Sequence, residues 1–278
     1  MTQAATVLRM PEAMLDRRRA DILPAHMPER RKGAQAVERA LRLLLHLAKD
    51  DGAGQRLTDL AAGTELDAAT ARRLLSTLGR HGFVEQDPYN RRYFLGLEFF
   101  TLAAAASNRR SLGSNARSIL ERLTRETQLP AAFFRRAGND LVCLDLAMPA
   151  RAGQRCGVEL GCRCPIGQGA FGVAVLAAMP DVEGEAIAIA NLRRMSRQPE
   201  DAARMLHLQI KTTRRLGYAL QPDSASGQIE LAIAIVDREG RPEGSLGVLI
   251  DAPGTDECVA RCLPLLRAQA RAIEQTIW

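Results

Sequence analysis

"LDAATARRLLSTLGRHGFVEQD", Leu66–Asp87, decides how this chain reads. Ala71, Leu74, Leu75 and Leu78 recur at helical spacing and predict a helix over 68–81 that buries one stripe. Asp67 stands before it as an N-cap, because its carboxylate can accept from the free N–H groups of the first turn. Gly82 stands after it, where a helix closes through a left-handed residue. Ala69, Thr70, Arg72, Arg73 and Ser76 fall off the buried stripe. Adjacent arginines among small residues on the free face call for a reason beyond packing.

The flanks supply one. Upstream, "QAVERALRLLLHLA" (Gln35–Ala48) predicts a helix with Val37, Leu41, Leu44, Leu45 and Ala48 inward. "DDGAGQ" breaks it, "LTDLAA" (Leu57–Ala62) is a short second helix, and "GTELD" is a turn. Downstream, "FVEQD" and "YFLG" are short strands around the basic tip "PYNRR" (Pro88–Arg92), with Tyr93 in the core and Tyr89 at the tip. Helix, short helix, helix and hairpin in this order make a winged helix-turn-helix. Small residues at the leading end let a helix enter the major groove, and arginine reaches guanine edges or phosphates. Asn90, Arg91 and Arg92 on the wing face the neighbouring phosphate backbone. The expected partner is a double-stranded DNA operator, met by Ala69, Thr70, Arg72, Arg73, Ser76, Asn90, Arg91 and Arg92. A small helical bundle with a basic face accounts for any one helix pair here, but not for the full order with its caps and basic tip.

Charge agrees with this placement. Residues 1–110 carry 18 Lys and Arg against 13 Asp and Glu, so they hold +5 of the chain's net +6. A polyanion partner belongs to that end. Residues 1–33 read as a disordered basic extension, although "PEAMLDRRRADIL" has the makings of a loose helix. Arg30-Arg31-Lys32 there is either a minor-groove or phosphate contact or a solvated tail. No apolar run approaches the ~20 residues that span a bilayer, and no secretory signal opens the chain, so a cytoplasmic protein with no membrane partner is expected.

The domain boundaries follow as 34–97 for the winged helix-turn-helix, 98–111 for a linker helix and 112–278 for a second domain. "LEFFTLAAAASNRR" is the linker, and "SLGSNARSILERLTRETQ" a helix with Ile119, Leu120 and Leu123 inward. "AAFFRRAG" and "NDLVCLDLAMP" form a hairpin, "RCGVELGC" a strand, and "IGQGAFGVAVLAAM" a buried helix with Gly in its first turn. "EDAARMLHLQIKTTRRLGY" is a surface helix. "GQIELAIAIVDREGRPEGSLGVLID" is strand, turn and strand, and "CVARCLPLLRAQARAIEQTIW" a closing helix. The fold class is α+β, with an antiparallel sheet and helices in the second domain.

Taken in order, these segments resemble the IclR family of transcriptional regulators over nearly all of 34–278. "LTDLAAGTELDAATARRLLSTLGRHGFVEQD", "RRYFLGLEFFTLA", "CPIGQGAFGVAVLA" and "RRLGYAL" carry the resemblance most specifically. It implies a linker helix that dimerises, a GAF-like effector-binding domain, and homodimers or homotetramers on a palindromic operator. It further implies control of a promoter by a small-molecule effector, usually an organic or aromatic acid. It places the effector pocket between the sheet and the helix starting near Pro165, lined by Cys143, Asp145, Ile166, Gly167, Gly169, Ala170, Ala234 and Leu249. Gly167 stands where the family has histidine, Val173 where it has lysine, Ala234 where it has proline, and Leu249 where it has a small polar residue. A roomier, less polar pocket is expected, suited to an acid with a sizeable apolar body. The backbone N–H groups of "GCRCPIGQG" are a candidate cradle for its carboxylate.

Six cysteines, Cys143, Cys156, Cys162, Cys164, Cys258 and Cys262, lie in the second domain. They read as small buried hydrophobes, a metal site or a redox sensor; "CRC" is closer-spaced than a usual zinc pair. No metal, cofactor or catalytic residue is assigned. HExxH, nucleophile-elbow, Walker and Rossmann patterns are all missing, and the four histidines are scattered. The alternative from another class is a small-molecule or redox sensor module whose winged helix serves protein contacts.

Overall fold

The computed structural model describes residues 34–49, 52–108, 112–150, 156–196, 199–223, 226–251 and 254–277. The expected disordered extension 1–33, with Arg30-Arg31-Lys32, lies outside them, as does the end of the linker at 109–111. The described chain forms two compact units, residues 34–108 and 112–277.

The first unit contains α1 (Gln35–Leu47), α2 (Leu57–Gly63), α3 (Ala68–Arg80), β1 (Val84–Gln86), β2 (Tyr93–Leu95) and α4 (Glu98–Asn108). Its core is Leu43, Leu47, Leu60, Ala61, Ala71, Leu75, Val84 and Tyr93. The stripe expected on α1 is corrected. Leu43 and Leu47 are buried, whereas Val37 and Leu41 face solvent. Leucine stands at 41, 43, 44, 45 and 47, so two faces of α1 are apolar and the packing of α2 and α3 chooses between them. α3 follows its sequence signals closely. Asp67 Oδ1 accepts from Thr70 N at 2.8 Å. At the other end Gly82 has φ +75°, and Phe83 N donates back to Leu78 O, a left-handed closure that only glycine adopts without strain. β1 and β2 pair antiparallel with Val84 opposite Leu95, and Gln55 bridges to Tyr93 as a third short rung. α4 is fixed at its start: Glu98 N donates to Gly82 O, and Phe99 meets Phe83 edge to face.

The second unit is α+β. α5 (Leu112–Thr127) leads to β3 (Ala131–Ala137), β4 (Asp140–Ala147) and β5 (Arg163–Pro165). Then come α6 (Gly169–Ala178), α7 (Asp181–Met195), α8 (Pro199–Leu216), β6 (Ala219–Pro222), β7 (Ile229–Val236), β8 (Pro242–Ile250) and α9 (Thr255–Ile277). The six strands form one antiparallel sheet in the order β5-β4-β3-β8-β7-β6. Strand alternation gives it two dry faces. Leu231, Ile233, Leu246, Val248 and Phe133 join a cluster with α5 and α9. Ala132, Phe134, Leu141, Cys143, Ala232 and Leu249 join the opposite one, around α6 with α7 and α8. α6 is sandwiched there: Ala170 to Ala177 are all buried.

The strand expected at "RCGVELGC" is a correction. Residues 156–162 form a turn in which Cys162 N donates to Glu159 O, and the strand begins only at Arg163. α7 and β6 fall in sequence to which no element had been assigned.

Candidate functional site

On α3, Ala69, Arg72, Arg73 and Ser76 stand at helical spacing on one exposed face, opposite Ala71 and Leu75. Among the described residues, none accepts from the guanidinium groups of Arg72, Arg73 or Arg91. A cleft of about 390 Å³ gathers Arg56, Thr58, Arg72, Gln86, Asn90, Arg91 and Tyr93 from the start of α2, from α3 and from the wing. Three arginines from three elements thus line one concavity. Arg56 and Thr58 went unremarked in the sequence reading; both are exposed at the start of α2, the short helix that precedes α3.

The wing is a built turn. Asp87 Oδ1 accepts from Tyr89 N at 2.7 Å and from Asn90 N at 3.3 Å, and Asp87 Oδ2 accepts from Asn90 Nδ2 at 2.7 Å. Asn90 Oδ1 in turn accepts from Arg92 N at 2.8 Å. The Asn90 amide is therefore spent on shaping the tip. Arg91 takes a left-handed φ of +61° at the tip. Arg92 folds inward, donating from Nη1 to Gly54 O at 2.6 Å, and so ties the wing to the loop between α1 and α2. Thr70 is half-buried, and its amide and hydroxyl hold the Asp67 carboxyl below the ordinary carboxylate range. Of the eight expected contacts, Ala69, Arg72, Arg73, Ser76 and Arg91 are presented freely, while Thr70, Asn90 and Arg92 serve the local frame.

In the second unit, Cys143, Ile166, Ala170 and Leu249 belong to the cluster under α6. Ala234 lies on the same face of β7, and Gly167 and Gly169 precede and begin α6. Asp145 does not join them. The β3–β4 register slips between Phe133 and Phe134, opposing Asp145 to Phe133 and Cys143 to Phe134. Leu144 is the extra residue of this bulge, and it turns Asp145 to the α5 side, where Arg117 Nη1 donates to it at 3.1 Å. The resemblance had implied that Cys143 and Asp145 line the pocket together.

Gly167 is corrected too. Its φ is +100°, and an added Cβ would stand 3.2 Å from Leu176 Cδ2 and 3.4 Å from Leu206 Cδ2. The room expected from the missing histidine is already filled by leucine. The N-terminus of α6 is likewise engaged: Ala170 N donates to Glu230 Oε2 at 2.7 Å, and Glu230 is 1% exposed. On α7, Asn191 Nδ2 donates to Ile166 O at 2.9 Å and Asn139 O at 2.8 Å, fixing the loop that enters α6.

Cys143 is 1% exposed, and its thiol is pushed far up, chiefly by a hydrogen bond with Cys162 and then by burial. Burial also pushes up Cys156 and Cys262. Such thiols behave as small hydrophobes. Among the described residues, no group of three or more His, Cys, Asp or Glu is arranged to hold a metal ion. Nor is any described helix long and apolar enough to cross a membrane.

A winged helix with unengaged arginines, followed in the chain by a separate sheet domain, defines a two-domain DNA-binding regulator as the class. Residues 36–88 match the IclR helix-turn-helix domain, and residues 104–275 match the bacterial transcriptional regulator IclR C-terminal domain. The chain belongs to the IclR family, which comprises transcriptional regulators and not enzymes. It is similar to the HTH-type transcriptional repressor AllR of Klebsiella pneumoniae, 26% identical over 223 residues, covering 80% of this chain and 81% of that protein. AllR of Escherichia coli strain K12 is also 26% identical, over 80% of this chain and 82% of that protein. Among solved structures, an IclR regulator from Alicyclobacillus acidocaldarius has a TM-score of 0.73 at 24% identity, covering 88% of this chain and 99% of that one. An IclR homologue from Microbacterium hydrocarbonoxydans, complexed with 4-hydroxybenzoate, has a TM-score of 0.70 at 20% identity, covering 87% and 98%. At these identities the structures show the shared fold.

Proposed function

We propose that this regulator reads its operator with the free face of α3 in the major groove and the wing against the adjacent backbone. The carrying observation is the cleft that brings Arg56, Arg72 and Arg91 together, none of their guanidinium groups having an acceptor among the described residues. A guanidinium fork on a protein surface pairs bidentately with guanine or phosphate. Arg72 and Arg73 take the base edges; Arg56, Thr58, Ser76 and Arg91 take phosphates, with Ala69 allowing close approach. Thr70, Asn90 and Arg92 support these contacts from behind. The operator is a palindrome bound by a homodimer or a pair of dimers. Leu97 and Phe100, 70% and 74% exposed at the start of α4, supply apolar surface for a second copy. The protein works in the cytoplasm, where the DNA is.

The second unit is proposed to bind the small molecule that adjusts operator affinity, at the face of the sheet under α6. An organic acid was the sequence expectation, and the 4-hydroxybenzoate complex of the Microbacterium homologue speaks for it. The Ala170–Glu230 bond speaks against it, because the amide meant for such an acid is already paired.

The test is a titration of DNA from upstream of the protein's own gene at several salt concentrations. Specific binding should weaken steeply with salt, with a log–log slope of about −0.9 per neutralised phosphate. A slope near zero, or equal affinity for unrelated DNA, overturns the reading.

A further inference from the structure

Four of the six cysteines, Cys143, Cys156, Cys162 and Cys164, gather on the α6 side of the sheet. Cys143 belongs to the buried cluster there, and the other three are half-buried against it. The β4–β5 ladder sets two of them face to face. Leu141 opposes Cys164, and Val142 opposes Arg163. One step further, Cys143 N donates to Cys162 O at 2.9 Å, and Gly161 N donates to Cys143 O at 2.8 Å. Cys143 and Cys162 therefore stand across the ladder from each other, both packed into the α6 cluster. Their thiols are in hydrogen-bond contact.

Distance separates this pair from its neighbours. Opposed residues of an antiparallel ladder have Cα atoms about 4.5–5.5 Å apart, inside the range of about 4.4–6.8 Å that a disulfide bridges. The diagonal from Cys143 to Cys164 is about 7–8 Å, too long to bridge without moving the backbone. Exposure then divides the pair. Cys143 is 1% exposed, and its S–H also has Asp145 O at 3.5 Å, so it keeps its proton and meets no solvent. Cys162 is half-buried at the end of the exposed turn 159–161, where a small oxidant reaches it. In a reducing cytoplasm both thiols rest unbridged, and a bond between them forms only when an oxidant arrives.

We propose that Cys143 and Cys162 are a modification site for hydrogen peroxide, a thiol pair that closes to a disulfide and ties the 156–162 turn to β4. In the first step the Cys162 sulfur attacks the peroxide. An S–O bond forms, the O–O bond breaks, and the thiol proton leaves with the departing oxygen as water. Cys162 is then a sulfenic acid. In the second step the Cys143 sulfur attacks the sulfur of Cys162. The S–S bond forms, the S–O bond breaks, and the Cys143 proton leaves with the hydroxide as a second water. Two thiols have given up two electrons, and the peroxide has taken them. A dithiol reductant reverses the change by exchange. The pair is already in contact, so the second step needs no movement of the sheet. This chemistry is independent of what else the second unit binds.

The experiment uses the full chain and its C143S, C143A and C162S variants, treated with a small excess of hydrogen peroxide and quenched with N-ethylmaleimide. Intact mass should show wild type losing two hydrogens, and dithiothreitol should restore them. Peptide mapping should join Cys143 to Cys162, with cleavage after Glu159 separating Cys162 from Cys156. Without Cys143 the sulfenic acid has no thiol opposite it. Dimedone should therefore label Cys162 several-fold more in C143S and C143A than in wild type. C162S should lose the cross-link and keep Cys143 reduced. A wild-type bond that joins Cys162 to Cys156 or Cys164 instead overturns the proposal. So does native wild type whose thiols all survive a peroxide dose that oxidises the same chain in urea. Equal dimedone labelling of Cys162 in wild type and in a folded Cys143 variant overturns it as well. The wild-type map decides the matter even where a Cys143 variant fails to fold.

Discussion

The two units spend their charged side chains in opposite ways. In the first, Arg72, Arg73 and Arg91 project from a small core of leucines with no partner among the described residues. In the second, Glu230 and Asp223 are 1% exposed and Asp140 is 3% exposed. Glu230 caps α6, Asp223 Oδ2 accepts from the Ser226 hydroxyl, and Asp140 Oδ1 accepts from Arg194 Nη1 at 2.9 Å. One unit holds charge ready for a partner; the other uses it to fix loops around α6. Substituting the exposed Arg72, Arg73 or Arg91 should therefore change binding, and substituting the buried Glu230, Asp223 or Asp140 should change stability.

The largest effect expected is on packing, and it separates the units. Leu75→Ala empties a site that is 1% exposed and should cost about 2–5 kcal/mol. Calorimetry should show the transition of the 34–108 unit lowered and that of the 112–277 unit in place. Next is the contrast in charge itself. Glu230→Ala orphans a buried amide and should cost about 1–3 kcal/mol of second-unit stability. Arg72→Ala should stay within about 0.5 kcal/mol of wild type by denaturant unfolding, as exposed sites do. Equal losses in the two variants would erase the distinction drawn between the units.

Smaller effects sharpen the first unit. Asp67 has its pKa lowered by the Thr70 amide and hydroxyl. Its contribution to α3 is present above the unfolded carboxyl pKa and lost as pH falls through the lower folded value. Acid titration of the melting temperature should show this loss in wild type and not in Asp67→Ala. Arg91→Ala should flatten the salt slope of operator binding by about 0.9, the loss of one phosphate contact. Arg92→Ala should instead lower the melting temperature of the first unit, since its guanidinium holds Gly54 O.

The difference between the units also governs what was legible in the sequence. α3 could be read almost to the residue, because Asp67, the Ala71–Leu75 stripe and Gly82 are local signals acting over one or two turns. The wing was legible as a hairpin, but not the inward turn of Arg92, which depends on a carbonyl 38 residues away. α1 misled because leucines on both faces left periodicity nothing to choose with. In the second unit the sheet strands declared themselves by alternation, and the bulge at Leu144 did not: one extra residue reverses the face of everything after it, including Asp145. α7 hid because its inward residues are Gly184, Ile187, Asn191 and Leu192, a stripe too mixed in polarity to stand out. Glu230 was passed over as one polar letter in an apolar strand. A lone acid at an inward position between Leu231 and Ile229 was the available signal that it had a buried partner.

The central claim is that exposed arginines of α3 read the operator while the fold stands without them. Quantitative footprinting of wild type and the Arg72→Ala, Arg73→Ala double variant on DNA upstream of the protein's own gene tests it most directly. Each bidentate arginine–guanine contact carries about 1–3 kcal/mol of discrimination. The account predicts that the double variant melts like wild type, keeps weak salt-sensitive binding to any DNA, and loses protection of the specific site. Full protection of that site by the folded double variant would contradict it.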